Sequence, residues 1–210
     1  DGSVYAVRAP RIAVLGTDGI LGQRTTTRML TRDLRRRGIR AEMIYTGQTG
    51  WMQGARYGVI WDALISDFTS GELEGAIVAC AAEADPEVML IEGQGAMRNP
   101  SGPCGPGLIL SAAASGVILQ HAPRRTHFHG LEHLEQCRIP DLVSEIGLIE
   151  RFGAPVIAVT LNLAGIADQD RAATIEECRA QCAPLPVVDV VGDGIAELTD
   201  VVVEHLREPR

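Results

Sequence analysis

The sequence predicts an α/β fold, with a mainly parallel sheet covered by helices on both faces. Three observations predict it. Short apolar runs alternate with helical patterns along most of the 210 residues. The runs are apolar at nearly every position rather than at every second one, which marks strands buried on both faces. A glycine-punctuated loop joins the first run directly to the first helical pattern, as in a strand–loop–helix unit.

The elements follow in order. Ile12 to Leu15 is the first strand, Gly16 to Gly22 the loop, and Gln23 to Arg37 a helix that sets Thr26, Leu30 and Leu34 on one face. Ala41 to Tyr45 is the second strand, and Val59 to Phe68 and Glu72 to Ala84 read as helices. Val88 to Ile91, Gly116 to Leu119, Val156 to Leu161 and Val187 to Val190 are the remaining strands. Helices are expected over Leu108 to Ala114, Ile139 to Phe152 and Gln169 to Cys182. Glu197, Leu198, Val201, Val202 and Leu206 give an amphipathic closing helix over Ile195 to Leu206. Asp1 to Pro10 reads as linker and 11–210 as one domain.

A net charge of −8 argues against nucleic acid as the main partner. No run approaches the length of a membrane span and no stretch reads as a signal peptide, so a small molecule is the expected partner. The five cysteines, scattered and odd in number, read as reduced thiols of a cytoplasmic protein. Apolar residues in several loops point to a homo-oligomer.

Ligands of parallel sheets bind beyond the carboxyl ends of the strands, so the loops there carry the site. The first is an anion cradle, because loop amides and a helix N-terminus aim unpaired N–H groups at one spot. Its candidate phosphate-binding residues are Gly16, Thr17, Asp18, Gly19, Gly22, Gln23, Arg24, Thr25 and Thr26. The spacing is a variant phosphate-binding loop (P-loop) with Gln23 where the lysine should stand, and the whole chain contains no lysine. A carboxamide donates a hydrogen bond but brings no charge, so phosphate binding survives this change better than phosphoryl transfer does.

The second strand leads to Gln48 and Thr49 between glycines, candidate substrate contacts or a plain turn. The third ends in Glu92, a carboxylate costly to bury unless paired or bound, with Gln94 and then Arg98 in a Pro- and Gly-rich loop over the site. After the fourth come Arg124 and Arg125, forks suited to carboxylate or phosphate, and His127, an imidazole able to exchange a proton near neutral pH. His127, His129 and His133 do not form a specific zinc signature, and no metal site is assigned. Asn162 at the exit of the fifth strand is placed to bond a base or to cap the next helix.

The loop GTDGILGQRTT resembles the GTDxxxGKxTT of a bacterial family that includes D-glutamate N-acetyltransferases and was long called a domain of unknown function. TGQTG and DFTSGELE occur in the expected order, IEGQGA is similar to the family's IEGQGS, and HAPRRTHFHGL to its HEPxRTHxRGL. The opening GTD also looks like the dethiobiotin synthetase branch of P-loop proteins.

The resemblance implies a P-loop NTPase-like three-layer fold, with a smaller Rossmann-like domain ahead of the linker. It implies acetyl-CoA as donor and an acidic amino acid such as D-glutamate as acceptor. On this reading Gly16 to Thr26 hold the CoA phosphates, Arg124 and Arg125 the acceptor's carboxylates, and Glu92 or His127 takes the amine proton. The dethiobiotin synthetase likeness implies an ATP- and Mg²⁺-dependent ligase or kinase instead. A non-catalytic nucleotide- or CoA-binding subunit is the third reading.

Overall fold

The structure, a computed structural model, describes residues 2–208. Seven strands form one sheet in the order β3-β2-β4-β1-β5-β6-β7, and every pairing is parallel. They are β1 (Arg11–Gly16), β2 (Ala41–Tyr45), β3 (Tyr57–Gly58), β4 (Val88–Glu92), β5 (Gly116–His121), β6 (Val156–Leu161) and β7 (Val187–Val188). The helices are α1 (Gln23–Arg36), α2 (Gln48–Met52), α3 (Thr69–Ala84), α4 (Gly105–Ser111), α5 (Leu142–Arg151), α6 (Asp168–Cys182) and α7 (Ala196–Arg207).

Alternate residues of each central strand feed two separate cores. Ile12 and Val14 of β1, with Val88 and Leu90 of β4, pack against Leu30 and Leu34 of α1 and Leu198 and Val202 of α7. Ala13, Leu15, Met89 and Ile91 face the other way, onto Leu73 and Ile77 of α3, Leu108 of α4 and Ile149 of α5. Burial on both sides is why these strands read as unbroken apolar runs, and it makes the three-layer architecture of a P-loop NTPase-like fold.

The differences from expectation are local. Val59 to Phe68 is not a helix but two short 3-10 turns, Trp61–Ala63 and Ser66–Phe68. Val59 is buried and Trp61 and Leu64 pack on the core, while Ile65 and Phe68 stay exposed, so no single apolar stripe exists for a helix to bury. The TGQTG segment, read as a loop, contains the short α2. Helix α5 begins at Leu142 rather than Ile139 because Asp141 caps it, its side chain accepting from the Ser144 amide at 2.8 Å. Within the stretch read as linker, Ser3–Ala6 forms a 3-10 turn whose Val4 joins the core, and Asp1 lies outside the described residues.

The topology places the site. Strand β1 lies between β4 and β5, so the loop after β1 is flanked by the exits of β4 and β5, where the crossovers diverge.

Candidate functional site

The loop between β1 and α1 is braced from inside by one side chain. Gln23 is buried; its Nε2 donates to the Asp18 carbonyl at 2.8 Å and its Oε1 accepts from the Leu21 amide at 3.1 Å. A Cβ at Gly16 would lie 2.2 Å from Gln23 Nε2, so the glycine makes room for the carboxamide. Gly22 enters α1 with φ +108°, in the left-handed region that glycine adopts without strain. The Gln23, Arg24 and Thr25 amides that open α1 have no backbone acceptor among the described residues, whereas the Thr26 amide returns to the Gly22 carbonyl. Three open amides at the N-terminus of a four-turn helix fit a phosphate oxyanion.

Asp18, within the loop, is fully buried and accepts four hydrogen bonds. Its Oδ1 takes the Gly19 amide at 2.7 Å and Asn99 Nδ2 at 2.8 Å. Its Oδ2 takes Arg125 Nη1 at 2.9 Å and the His129 amide at 2.8 Å. Arg125 also donates to the Gly19 carbonyl at 2.8 Å. Asp18 is thus an internal anchor, and the Arg125 guanidinium expected on a substrate carboxylate is held on a carboxylate of the protein itself.

Strands β5 and β6 fix the loop's floor. Gln120 Oε1 accepts from Thr26 Oγ1 at 2.7 Å and Thr160 Oγ1 at 2.8 Å, while its carbonyl accepts the Thr17 amide. Thr17 Oγ1 and His121 Nδ1 are 3.1 Å apart, and burial pushes the His121 imidazole down to about 4. Asn162 Nδ2 donates to the Leu21 carbonyl at 2.8 Å, and its Oδ1 accepts the Ala164 amide, so it ties β6 to the loop. The sequence reading passed over Gln120; the signal was a polar residue at the end of an otherwise apolar strand.

Glu92 ends β4 with 4% of its surface exposed. Its Oε2 accepts the Thr46 amide at 3.2 Å, and a Cβ at Gly50 would lie 2.7 Å from that oxygen. Burial raises its carboxyl above the ordinary range, against the lowering effects of the Thr46 amide, the Arg24 charge and the Gly47 amide. Gln94 Nε2 donates to the Thr46 carbonyl at 3.0 Å. Glu92, Gln94, Arg24 and the start of α2, with exposed Gln48 and half-buried Thr49, therefore lie around one mouth beside the loop. Thr46 was not singled out from sequence.

Other candidates lie elsewhere. Arg98 Nε pairs with Glu145 at 2.6 Å and its Nη2 with Ser144, strapping the 96–104 loop to α5. Arg124 is exposed and forms no hydrogen bond or ion pair among the described residues. His127 Nδ1 is 2.9 Å from Thr126 Oγ1 and its Nε2 3.7 Å from Glu135, and no contact joins it to Glu92. Among the described residues no group of three His, Cys, Asp or Glu side chains is arranged to hold a metal ion.

A family model, the P-loop domain of a domain of unknown function (DUF1611_C), matches residues 1–199. The chain belongs to the DUF1611 family. This DUF1611 chain is similar to a D-glutamate N-acetyltransferase of Tritonibacter scottomollicae, 28% identical over 199 residues that cover 92% of the chain and 58% of that relative. A D-glutamate N-acetyltransferase of Pseudoalteromonas sp is 28% identical over 201 residues, with the same shares covered. The chain therefore spans less than two thirds of either relative.

A crystal structure of a DUF1611 family protein from Anabaena variabilis superposes with a TM-score of 0.87 at 28% identity, covering 97% of this chain and 60% of that one. Cobyrinic acid a,c-diamide synthase from Mycobacterium smegmatis, with bound ADP and magnesium, gives a TM-score of 0.60 at 16% identity over 96% of this chain and 97% of that one. The second likeness is one of fold. No helix of the described residues is long and apolar enough to cross a membrane.

Proposed function

We propose that this chain is the donor-binding part of an N-acyltransferase that moves acetyl from acetyl-CoA to the amino group of an acidic amino acid such as D-glutamate. One observation carries the reading. The loop holds a neutral carboxamide, Gln23, where phosphoryl transfer relies on a lysine, while the amides that open α1 stay free. In addition, Arg24 stands where the strict motif has a Mg²⁺-binding Ser or Thr. Such a loop suits a diphosphate that is held and not cleaved. The names of the two curated relatives support the same chemistry.

When bound, acetyl-CoA supplies a thioester that an amine attacks. The amides of Gln23, Arg24 and Thr25 orient the diphosphate. Glu92, its affinity for a proton raised by burial, accepts the proton that the acceptor's ammonium must lose. Arg124, free of protein partners among the described residues, is offered to an acceptor carboxylate, while Arg125 and Asn162 hold the loop in shape. Gln48, Thr49 and Gln94 line the mouth beside Glu92, Arg98 straps the loop above it, and His127 is assigned no step. The five cysteines are free thiols, and a cytoplasmic setting belongs to the proposal, as does a homo-oligomer formed through exposed Trp51, Met52, Ile65 and Phe68.

The second reading is an ATP- and Mg²⁺-dependent ligase or kinase. Glu92 favours it, because a carboxylate on the strand beside the P-loop is placed to hold Mg²⁺ through water. The test is thiol release from acetyl-CoA with D-glutamate, run beside ADP release from ATP and Mg²⁺ with the same acceptor. Thiol release alone supports the acyltransferase, ADP release alone the ligase or kinase. Binding without either product supports the nucleotide- or CoA-binding subunit.

A further inference from the structure

Arginine recurs every fourth residue along α1, at Arg24, Arg28, Arg32 and Arg36. Residues four apart share a helix face, so these guanidiniums form a row that leaves the P-loop and runs about 18 Å along the axis. The row borders two hollows of about 690 and 390 Å³, both lined by Arg28, Arg32, Arg36 and Gln53. The smaller reaches Arg24 and Thr25 at the loop, and the larger is closed on its far side by the 50–56 segment, with Gly50 next to Glu92.

The pairing of charges along α1 is selective. Neighbouring arginines are neutralised: Arg35 by Glu42, Arg37 by Asp33 and Asp200, Arg40 by Asp85 and Glu87, and Arg56 by Glu83. Among the described residues Arg24, Arg28, Arg32 and Arg36 form no salt bridge, and Arg28 donates only to the Gln53 carboxamide. Glu42 and Asp33 do border the hollows, but each is held by its own arginine. In a chain of net charge −8, a row of arginines without ion pairs, in which Arg24 alone has the Glu92 carboxyl within electrostatic reach, suits an anion beside a concave surface.

We propose that this groove is a second phosphate site that receives the ribose 3′-phosphate of a CoA-type donor whose diphosphate lies on the P-loop. The inference rests on the acyl-CoA reading and adds the place of the donor's 3′-phosphate. ATP carries its phosphates in one chain and has none to place in a separate site. A 3′-phosphorylated adenosine diphosphate carries two groups on one ribose, and Arg28 stands one helical turn, about 6 Å, beyond the loop.

The test is calorimetric titration of the protein with CoA and with dephospho-CoA, which lacks only the 3′-phosphate. The wild type is expected to bind CoA about tenfold more tightly, the gain of a multiply charged, charge-assisted contact. The doubly substituted Arg28→Gln/Arg32→Gln protein, which loses the two arginines of the row next beyond the loop, is expected to bind both ligands alike, at the wild-type affinity for dephospho-CoA. Arg151→Gln on α5, on the opposite face of the sheet, lowers the positive charge without touching the groove and should keep the preference. Melting temperatures monitor folding, with single Arg28→Gln as the milder variant. Equal wild-type affinities for the two ligands overturn the groove and leave the acyl-CoA reading standing. Equal weakening of both ligands in the double variant also overturns it, and failure of both ligands to bind the wild type removes both proposals.

Discussion

Asp18 and Arg125, 107 positions apart in the chain, meet at 2.9 Å, with Nη1 of the arginine donating to Oδ2 of a carboxylate that no solvent reaches. With Asn99 and the His129 amide on the same carboxylate, three loops are joined at one buried charge. Asp18→Asn sets an N–H₂ group against donors and leaves Arg125 without its counter-charge, with the Gly19 carbonyl as its remaining partner. A loss of about 3 kcal/mol is expected in urea unfolding, together with weaker donor binding because the P-loop loses its anchor.

Glu92 yields a prediction in which stability and activity move in opposite directions. Its folded-state pKa is raised, so the folded protein holds this proton more tightly than the unfolded chain does. The penalty is therefore present above the folded-state pKa and disappears as pH falls to the ordinary carboxylate value. Glu92→Gln keeps an acceptor for the Thr46 amide and removes the charge. It is expected to raise the melting temperature by a few degrees near neutral pH, with no gain near about pH 4, while abolishing turnover. Full turnover of this variant would exclude Glu92 as the base.

His121 acts in the opposite sense. Its folded-state pKa, about 4, lies below that of an unfolded histidine, so the unfolded chain binds more protons between the two values. Stability is whole above the unfolded pKa and is lost as pH falls through about 4, by on the order of 3 kcal/mol. Denaturation curves of His121→Asn collected across this window should be flatter by that amount. The same fall beside the wild type's would show that other groups carry it.

Arg98 and Glu145 strap the 96–104 loop to α5. Glu145 is 1% exposed, burial raises its carboxyl, and its Oε2 has no hydrogen-bond partner. Arg98→Ala leaves that carboxylate without its cation and is expected to cost about 3 kcal/mol, whereas adding Glu145→Gln should restore most of the loss. A double-mutant cycle in thermal unfolding measures the coupling.

The alternation of strands and helices was legible because both faces of the sheet are covered, which forces apolar residues into nearly every strand position. The 59–68 segment was not, because its apolar residues divide between core and solvent, as Trp61 and Phe68 do. The two residues of β3 are too few to leave a pattern. At the site, the loop, Glu92 and the strand exits could be located from glycines and polar residues that interrupt apolar runs. The partners of those residues could not. Asp18, Asn99 and Arg125 come together only through the crossovers, and no spacing along the chain encodes that meeting. Likewise the sequence shows Gln23 as a lost charge, whereas the fold turns its carboxamide into the brace of the loop.

That brace also bears on side reactions. A lysine at this position would add a primary amine that competes with the intended acceptor for any activated acyl group that came within its reach. The Gln23 nitrogen has its lone pair delocalised into the carbonyl and its hydrogen bond spent on Asp18. It is inert toward thioesters and acyl phosphates alike. With no lysine elsewhere in these 210 residues, the domain offers a bound activated acyl group no lysine amine of its own to modify.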